Sequence, residues 1–336
     1  MRFRMVGPAM VTAVALCVAA CGGSGATAAG GGGTTKAATT DAPPAKKYSI
    51  GIVGFSSADP TSQAAIKGYM AIAQQRGWAV TYIDPQGSPD KAVAAMQNLV
   101  QKRVALIVTV VFPAQSLVGG ALAAKQAGIP VVSLSGGTGP GVQVNYDSGI
   151  EQGTDIAQKL MTDTGGRGSL LILGYKSGLP CIEREAQLDK AIASADFSRT
   201  RDEVPIPGQV AAATQFTQAW LARHPANGQP MTVWACFDDP ALGAIAAIQQ
   251  ASRGGVRVYG INGSPASLEA VRSGQLTATV YLDAYGAGEE MAQHTPGYIA
   301  AGVNAPPIST SIPSVLVDKA SIAVFLKRYP GAIKGQ

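Results

Sequence analysis

From Lys46 onward the chain alternates two kinds of segment. Short apolar runs rich in β-branched residues, Ser49 to Phe55, Ala79 to Ile83, Ala105 to Val111, Val131 to Leu134, Leu170 to Leu173, Val233 to Ala235 and Val256 to Ile261, predict strands. Stretches between them, such as Ser62 to Arg76, Lys91 to Lys102 and Ala241 to Ser252, combine alanines with amphipathic spacing and predict helices. Strands that are apolar almost throughout belong to parallel sheets covered on both faces, so the alternation predicts an α/β fold.

The pattern also repeats. IVGFSSADPTS (52 to 62) lies without gaps on ILGYKSGLPCI (172 to 182), matching Gly54 with Gly174, Phe55 with Tyr175, Ser57 with Ser177 and Pro60 with Pro180. PAQSLVGGALAAKQAGIPVVSLS (113 to 135) likewise lies on PALGAIAAIQQASRGGVRVYGIN (240 to 262), equating Gly128 with Gly255 and Ser135 with Asn262. The expectation is two similar doubly wound parallel-sheet domains. Ligands of open α/β sheets bind beyond the carboxyl ends of the strands, so two such domains facing one another would enclose a cleft. Aromatic residues sit at or just past that end of six predicted strands: Phe55, Phe112, Tyr146, Tyr175, Phe237 and Tyr281.

The N-terminus reads differently. Arg2 and Arg4 precede an apolar run from Val11 to Ala20 that is shorter than the roughly 20 residues a membrane-spanning helix requires, which reads as a signal peptide over residues 1–20. Val18-Ala19-Ala20-Cys21 resembles the bacterial lipobox, which implies lipidation of Cys21. Residues 21–45, almost entirely Gly, Ala, Thr and Ser, then form a flexible tether. The formal net charge of +5, without Lys or Arg runs, gives no nucleic-acid signal. Neither a Gly-x-Ser-x-Gly elbow nor a His-Glu-x-x-His motif occurs, and His224 and His294 fall in a connecting loop and a late helix, so no enzyme, cofactor or metal site is expected.

Four stretches resemble the periplasmic binding proteins of the ribose-binding type, the receptors of ABC importers: GFSSADPTSQAAIKGYMAIAQQRGW, QNLVQKRVALIVTVV with AAKQAGIPVVSLS, ACFDDPALGAIAAIQ, and GINGSPASLEAVRSGQLTATV. The resemblance implies a three-segment hinge near Asp147, Leu282 and Pro313, with an N-terminal lobe of residues 46–147 plus 283–312 and a C-terminal lobe of 148–282 plus 313–336. It also implies a monomeric, lipid-anchored receptor on the extracytoplasmic face of a bacterial membrane, which takes a small-molecule ligand by hinge closure and delivers it to an ABC permease. A sensory receptor of the same fold, reporting to a membrane kinase, stays open as an alternative.

The pocket positions depart from the sugar-binding pattern. The loop Asn-Pro-aromatic-aromatic reads Asp59-Pro60-Thr61-Ser62, the acidic-basic pair reads Ser135-Gly136, Asn-Asp reads Phe237-Asp238, and a later Asp reads Asn262. Arg184 persists, while Ile182 and Leu282 stand where an arginine and the hinge glutamine are expected. Four carboxylates, Asp59, Asp147, Asp238 and Asp283, fall in predicted cleft loops or crossovers, although Asp59 and Asp238 are also placed to cap helices. If two or more face the cleft, the ligand is a hydrogen-bond donor or a cation, because a buried unpaired carboxylate is costly. A monosaccharide or polyol is the favoured ligand, with a nucleoside or aromatic amine as the alternative. Cys181 and Cys236, near strand ends in the second domain, are either a disulfide or two small buried thiols.

Overall fold

The computed structural model describes residues 46–225 and 228–334; the signal, Cys21 and tether assignments lie outside them. The first half runs β1 (Ser49–Val53), α1 (Pro60–Gln75), β2 (Ala79–Ile83), α2 (Pro89–Gln101), β3 (Leu106–Val110), α3 (Val118–Gln126), β4 (Val131–Leu134) and β5 (Val144–Asp147). The second runs α4 (Ile150–Thr164), β6 (Arg167–Gly174), α5 (Leu179–Ala191), β7 (Asp196–Glu203), α6 (Gln209–Arg223), β8 (Met231–Ala235), α7 (Asp238–Gln250), β9 (Val256–Tyr259), α8 (Pro265–Ser273) and β10 (Ala278–Leu282). The chain closes with α9 (Ala284–Ala301), β11 (Ile308–Ser311), β12 (Ser314–Asp318) and α10 (Ile322–Arg328).

The strands form two six-stranded sheets with matching orders, β2-β1-β3-β4-β5-β11 and β7-β6-β8-β9-β10-β12. In each, the order reverses between the first and third strands of the set, the topological switch point at which doubly wound sheets open a crevice. All neighbours are parallel except β10 and β12, which the parallel expectation misses. The register explains the exception. β5 and β11 both leave the first sheet at the same end, with Asp147 opposite Ser311, and so run parallel. β10 leaves the second sheet where β12 enters it, with Leu282 opposite Ser314, and so the two run antiparallel. The chain therefore crosses between the sheets just after Asp147, after Leu282 and at Ile312–Pro313. The Gln152 side-chain amide donates to the Ile312 carbonyl at 3.0 Å, tying two of these crossings together.

Local signals set the helix starts. Asp59-Pro60, Ser88-Pro89 and Ser264-Pro265 each pair an oxygen-bearing N-cap with a proline in the first helical turn, where its missing N–H costs nothing. Burial sets the strands: every residue of β3, β4, β8 and β10 is buried, as sheets covered on both faces require. Helices α1 and α9 cover the first sheet, and a Cβ placed on Gly288 would lie 1.9 Å from the Ala65 carbonyl oxygen, so glycine sets their separation. The Tyr69 and Thr295 hydroxyls, 2.7 Å apart, complete this contact.

Candidate ligand-binding site

The carboxyl ends of β1, β3 and β4 face those of β6, β8 and β9 across a cavity of about 60 Å³. Two hydrogen bonds join the lobes over it. The first amide of α5, at Leu179, donates to the Val111 carbonyl at 3.1 Å, so a helix-end N–H with no partner in its own helix is satisfied by the opposite lobe. The Gln209 side chain donates to the Ala58 carbonyl at 2.8 Å and to Asp239 at 2.8 Å. The Phe55 ring meets the Tyr175 ring edge-on, with centroids 5.8 Å apart. These two residues were equated by the sequence repeat, and they face each other across the cleft.

Three cavity residues hold left-handed backbone: Val111 (φ 68°), Ser135 (φ 63°) and Asn262 (φ 125°). For β-branched Val111 this is sterically costly. Its amide bonds the Leu134 carbonyl at 2.8 Å while its own carbonyl receives Leu179, so sheet and opposite lobe together fix the conformation. Ser135 and Asn262, also equated by the repeat, are the same structural joint in each lobe, following β4 and β9.

The polar wall is largely engaged within the protein. Asp59 caps α1, accepting from the Thr61 amide at 3.1 Å and from the Ser62 hydroxyl, and burial raises its pKa against those two bonds. Arg184, 2% exposed, spends three of its five N–H donors on backbone: Nε and Nη2 on the Ser148 carbonyl, Nη1 on that of Cys236. Burial lowers its pKa to about 10, with Asp238, Asp147 and Asp59 opposing the shift. The Ser135 hydroxyl lies 2.7 Å from that of Ser148. The Asn262 Oδ1 atom is buried and has no hydrogen-bond partner, so a ligand donor is what it lacks. Phe55, Val111, Leu134, Tyr175, Ile206 and Phe237 supply the apolar surface.

Phe55, Asp59, Thr61, Ser135, Tyr175, Arg184, Phe237 and Asn262 thus line one cavity. Six other expected residues do not. Phe112 is 1% exposed, because the turn at Val111 sends its ring inward against Phe55 at 4.8 Å. Tyr146 is buried with its hydroxyl 2.8 Å from that of Tyr298. Tyr281 packs on Phe325 and Tyr329, with centroids 5.0 and 5.4 Å away. Asp238 accepts from the Ser264 amide and the Ser267 and Thr279 hydroxyls at 2.7, 2.7 and 2.8 Å, which makes it a structural hub. Asp283 caps α9 through the Gly286 amide at 2.9 Å. Asp147 lies at a crossover beside Glu183. Of the four carboxylates, Asp59 alone lines this cavity, while Asp283 borders an adjoining hollow that Thr61 and Asn262 also line.

Cys181 and Cys236 are joined by a disulfide, with Cα atoms 5.1 Å apart, and Cys181 is part of the cavity wall. Among the cavity residues not anticipated, Pro180 belongs to the repeat that marked Tyr175, whereas Ile206 lies in a loop whose local pattern carries no signal. Among the described residues, no group of three His, Cys, Asp or Glu side chains is placed to hold a metal, and no helix is long and apolar enough to cross a membrane.

Glu183, in the second turn of α5, is pushed up to about 8 by burial and by the neighbouring Asp147 carboxylate; Arg184 opposes the shift. A carboxyl whose folded value lies above its ordinary 4.5 favours folding in its neutral form, fully so below 4.5 and progressively less as pH rises through about 8. The unfolding temperature is therefore expected to fall more steeply between about pH 5 and pH 9 in the wild type than in Glu183→Gln, whose amide stays neutral throughout. Parallel profiles for the two proteins would exclude this coupling.

Two α/β lobes with a cavity at their facing switch points define a clamshell solute receptor. A family profile described as "Periplasmic binding protein domain" matches residues 50–295, and the chain belongs to that family, in its type I fold. The chain is 28% identical over 239 residues to the Ribose import binding protein RbsB of Escherichia coli, covering 70% of this chain and 79% of that one. It is 27% identical over 187 residues to the Xylitol-binding protein of Mycolicibacterium smegmatis, covering 55% and 53%. Among solved structures, an ABC transporter solute-binding protein from Agrobacterium vitis with bound allitol superposes with a TM-score of 0.78 at 25% identity, over 84% of this chain and 99% of that one.

Proposed function

We propose that this chain is the lipid-anchored solute receptor of an ABC importer, that it closes two lobes over a sugar or polyol, and that it hands the solute to a membrane permease. One observation carries the reading: the cavity is built half from each lobe, and the Leu179–Val111 and Gln209–Ala58 bonds that cover it exist only when the lobes meet. A ligand touching both walls would shift the population toward that closed arrangement by its differential affinity. The lobes are taken as residues 46–147 with 283–312 and residues 148–282 with 313–336, an assignment that the matching strand orders support. The named relatives bind ribose, xylitol and allitol, which favours a small polyhydroxylated or related solute over a nucleoside or amine. No catalytic step is assigned, in keeping with relatives that are transport receptors.

The test is thermal unfolding of the purified protein against sugars, polyols, nucleosides and amines. A ligand at 100 times its dissociation constant adds about 2.7 kcal/mol and raises the unfolding temperature. Stabilisation by a sugar or polyol is expected. Stabilisation by nucleosides or amines alone would overturn the ligand assignment, and none by any solute class would overturn the receptor reading.

A further inference from the structure

Resting on that reading, we propose that the solute is a hydroxyl-poor sugar or polyol, deoxygenated or alkyl-bearing, that offers hydroxyls along one edge and an unhydroxylated remainder to the rest of the wall. The argument is an inventory of unspent hydrogen-bonding capacity. Ser135, Ser148 and Arg184 form one hydrogen-bonded chain, and both Asp59 oxygens already accept bonds at the start of α1. What remains is the Asn262 side-chain amide, two N–H groups of Arg184, the Thr61 and Tyr175 hydroxyls and the spare lone pairs of Asp59.

Against this stand Phe55, Val111, Leu134, Ile206 and Phe237, which present no polar side-chain atom, and the ring of Tyr175. A fully hydroxylated hexose carries a hydroxyl on nearly every carbon, and those turned to this surface would be stripped of water without a partner, the asymmetric cost of an unmade bond. A methyl or methylene at the same place buries apolar area instead.

The experiment is calorimetric titration of the full chain with sugar pairs that differ by one hydroxyl: galactose with 6-deoxygalactose, mannose with 6-deoxymannose, ribose with 5-deoxyribose. The deoxygenated member is expected to bind about ten- to a hundredfold tighter in at least one pair. Equal or tighter binding of the hydroxylated parent wherever binding occurs would overturn the inference while leaving the sugar receptor intact. If no sugar or polyol binds, the proposed function fails and this inference with it. Ile206→Thr places a hydroxyl on the apolar wall and is expected to narrow the preference by about tenfold. A folded variant that kept the wild-type ratio would also count against the inference.

Discussion

Replacing Asp238 with Ala is expected to lower the free energy of unfolding by about 3–5 kcal/mol, because removing one partner of a buried, charged hydrogen-bonding group strands the others. The carboxylate is 1% exposed and accepts three hydrogen bonds, from Ser264, Ser267 and Thr279. One side chain thereby joins the start of α7 to the cap of α8 and to β10. Burial raises its pKa while those donors pull the other way, so the site is built around an acceptor and has no substitute when it is lost. Denaturant titration measures the loss, and one below about 1 kcal/mol, the size of an ordinary substitution, would show that the three donors find other partners. Any loss of ligand affinity in this variant follows from the fold, since Asp238 does not line the cavity.

Gly178→Val is expected to do the reverse, sparing the fold and weakening binding. A Cβ at this position would lie 2.9 Å from a Val111 methyl in the opposite lobe. The backbone there is extended, with φ −118° and ψ 125°, which valine adopts readily. The Tyr175 ring of the same lobe, 3.3 Å from that Cβ, must give by a few tenths of an ångström in either state, whereas only the closed arrangement meets the harder Val111 clash. An overpacking cost of roughly 3 kcal/mol on closure, within the range found for inserted methyl groups, would reduce the closed population and raise the apparent dissociation constant roughly 100-fold. Calorimetric titration beside a thermal melt reads both quantities. Wild-type affinity in a stably folded Gly178→Val protein would mean that binding does not require this contact.

The central strands were legible because β1, β3, β4 and β8 are largely apolar runs buried along nearly their whole length, and the duplication was legible because each half repeats the same strand ends and turns. Gly128 and Gly255, equated by sequence, hold φ values of 72° and 78°. Among the edge strands β2 was legible, but two others were not. β7, Asp196–Glu203, is mostly polar, and β11, Ile308–Ser311, is exposed along its whole length, so neither carries the apolar signal by which a strand is recognised. The site divided along similar lines. Phe55, Tyr175 and Phe237 follow strands at the switch points and reach the cavity. Phe112 also follows one, but the left-handed turn at Val111 redirects it, and no pattern of residue types announces such a turn at valine. Tyr146 and Tyr281 belong to strands farther from the switch point, where neighbouring rings take them up. Carboxylates misled for a related reason: Asp238 and Asp283 stand at strand ends, yet backbone amides at helix starts compete for them, and here the amides win.

The bond between Cys181 and Cys236 ties the start of α5, whose first two turns carry Pro180 and Arg184, to the end of β8, where Phe237 begins its turn into the cavity. Those segments, 55 positions apart, are joined by the hydrogen bond from Arg184 to the Cys236 carbonyl and by a covalent tie that needs an oxidation with no counterpart in a reducing cytosol. Maturation of the receptor therefore includes a redox step as well as folding. A newly made chain that still holds thiols would lack this one covalent tie in the cavity wall.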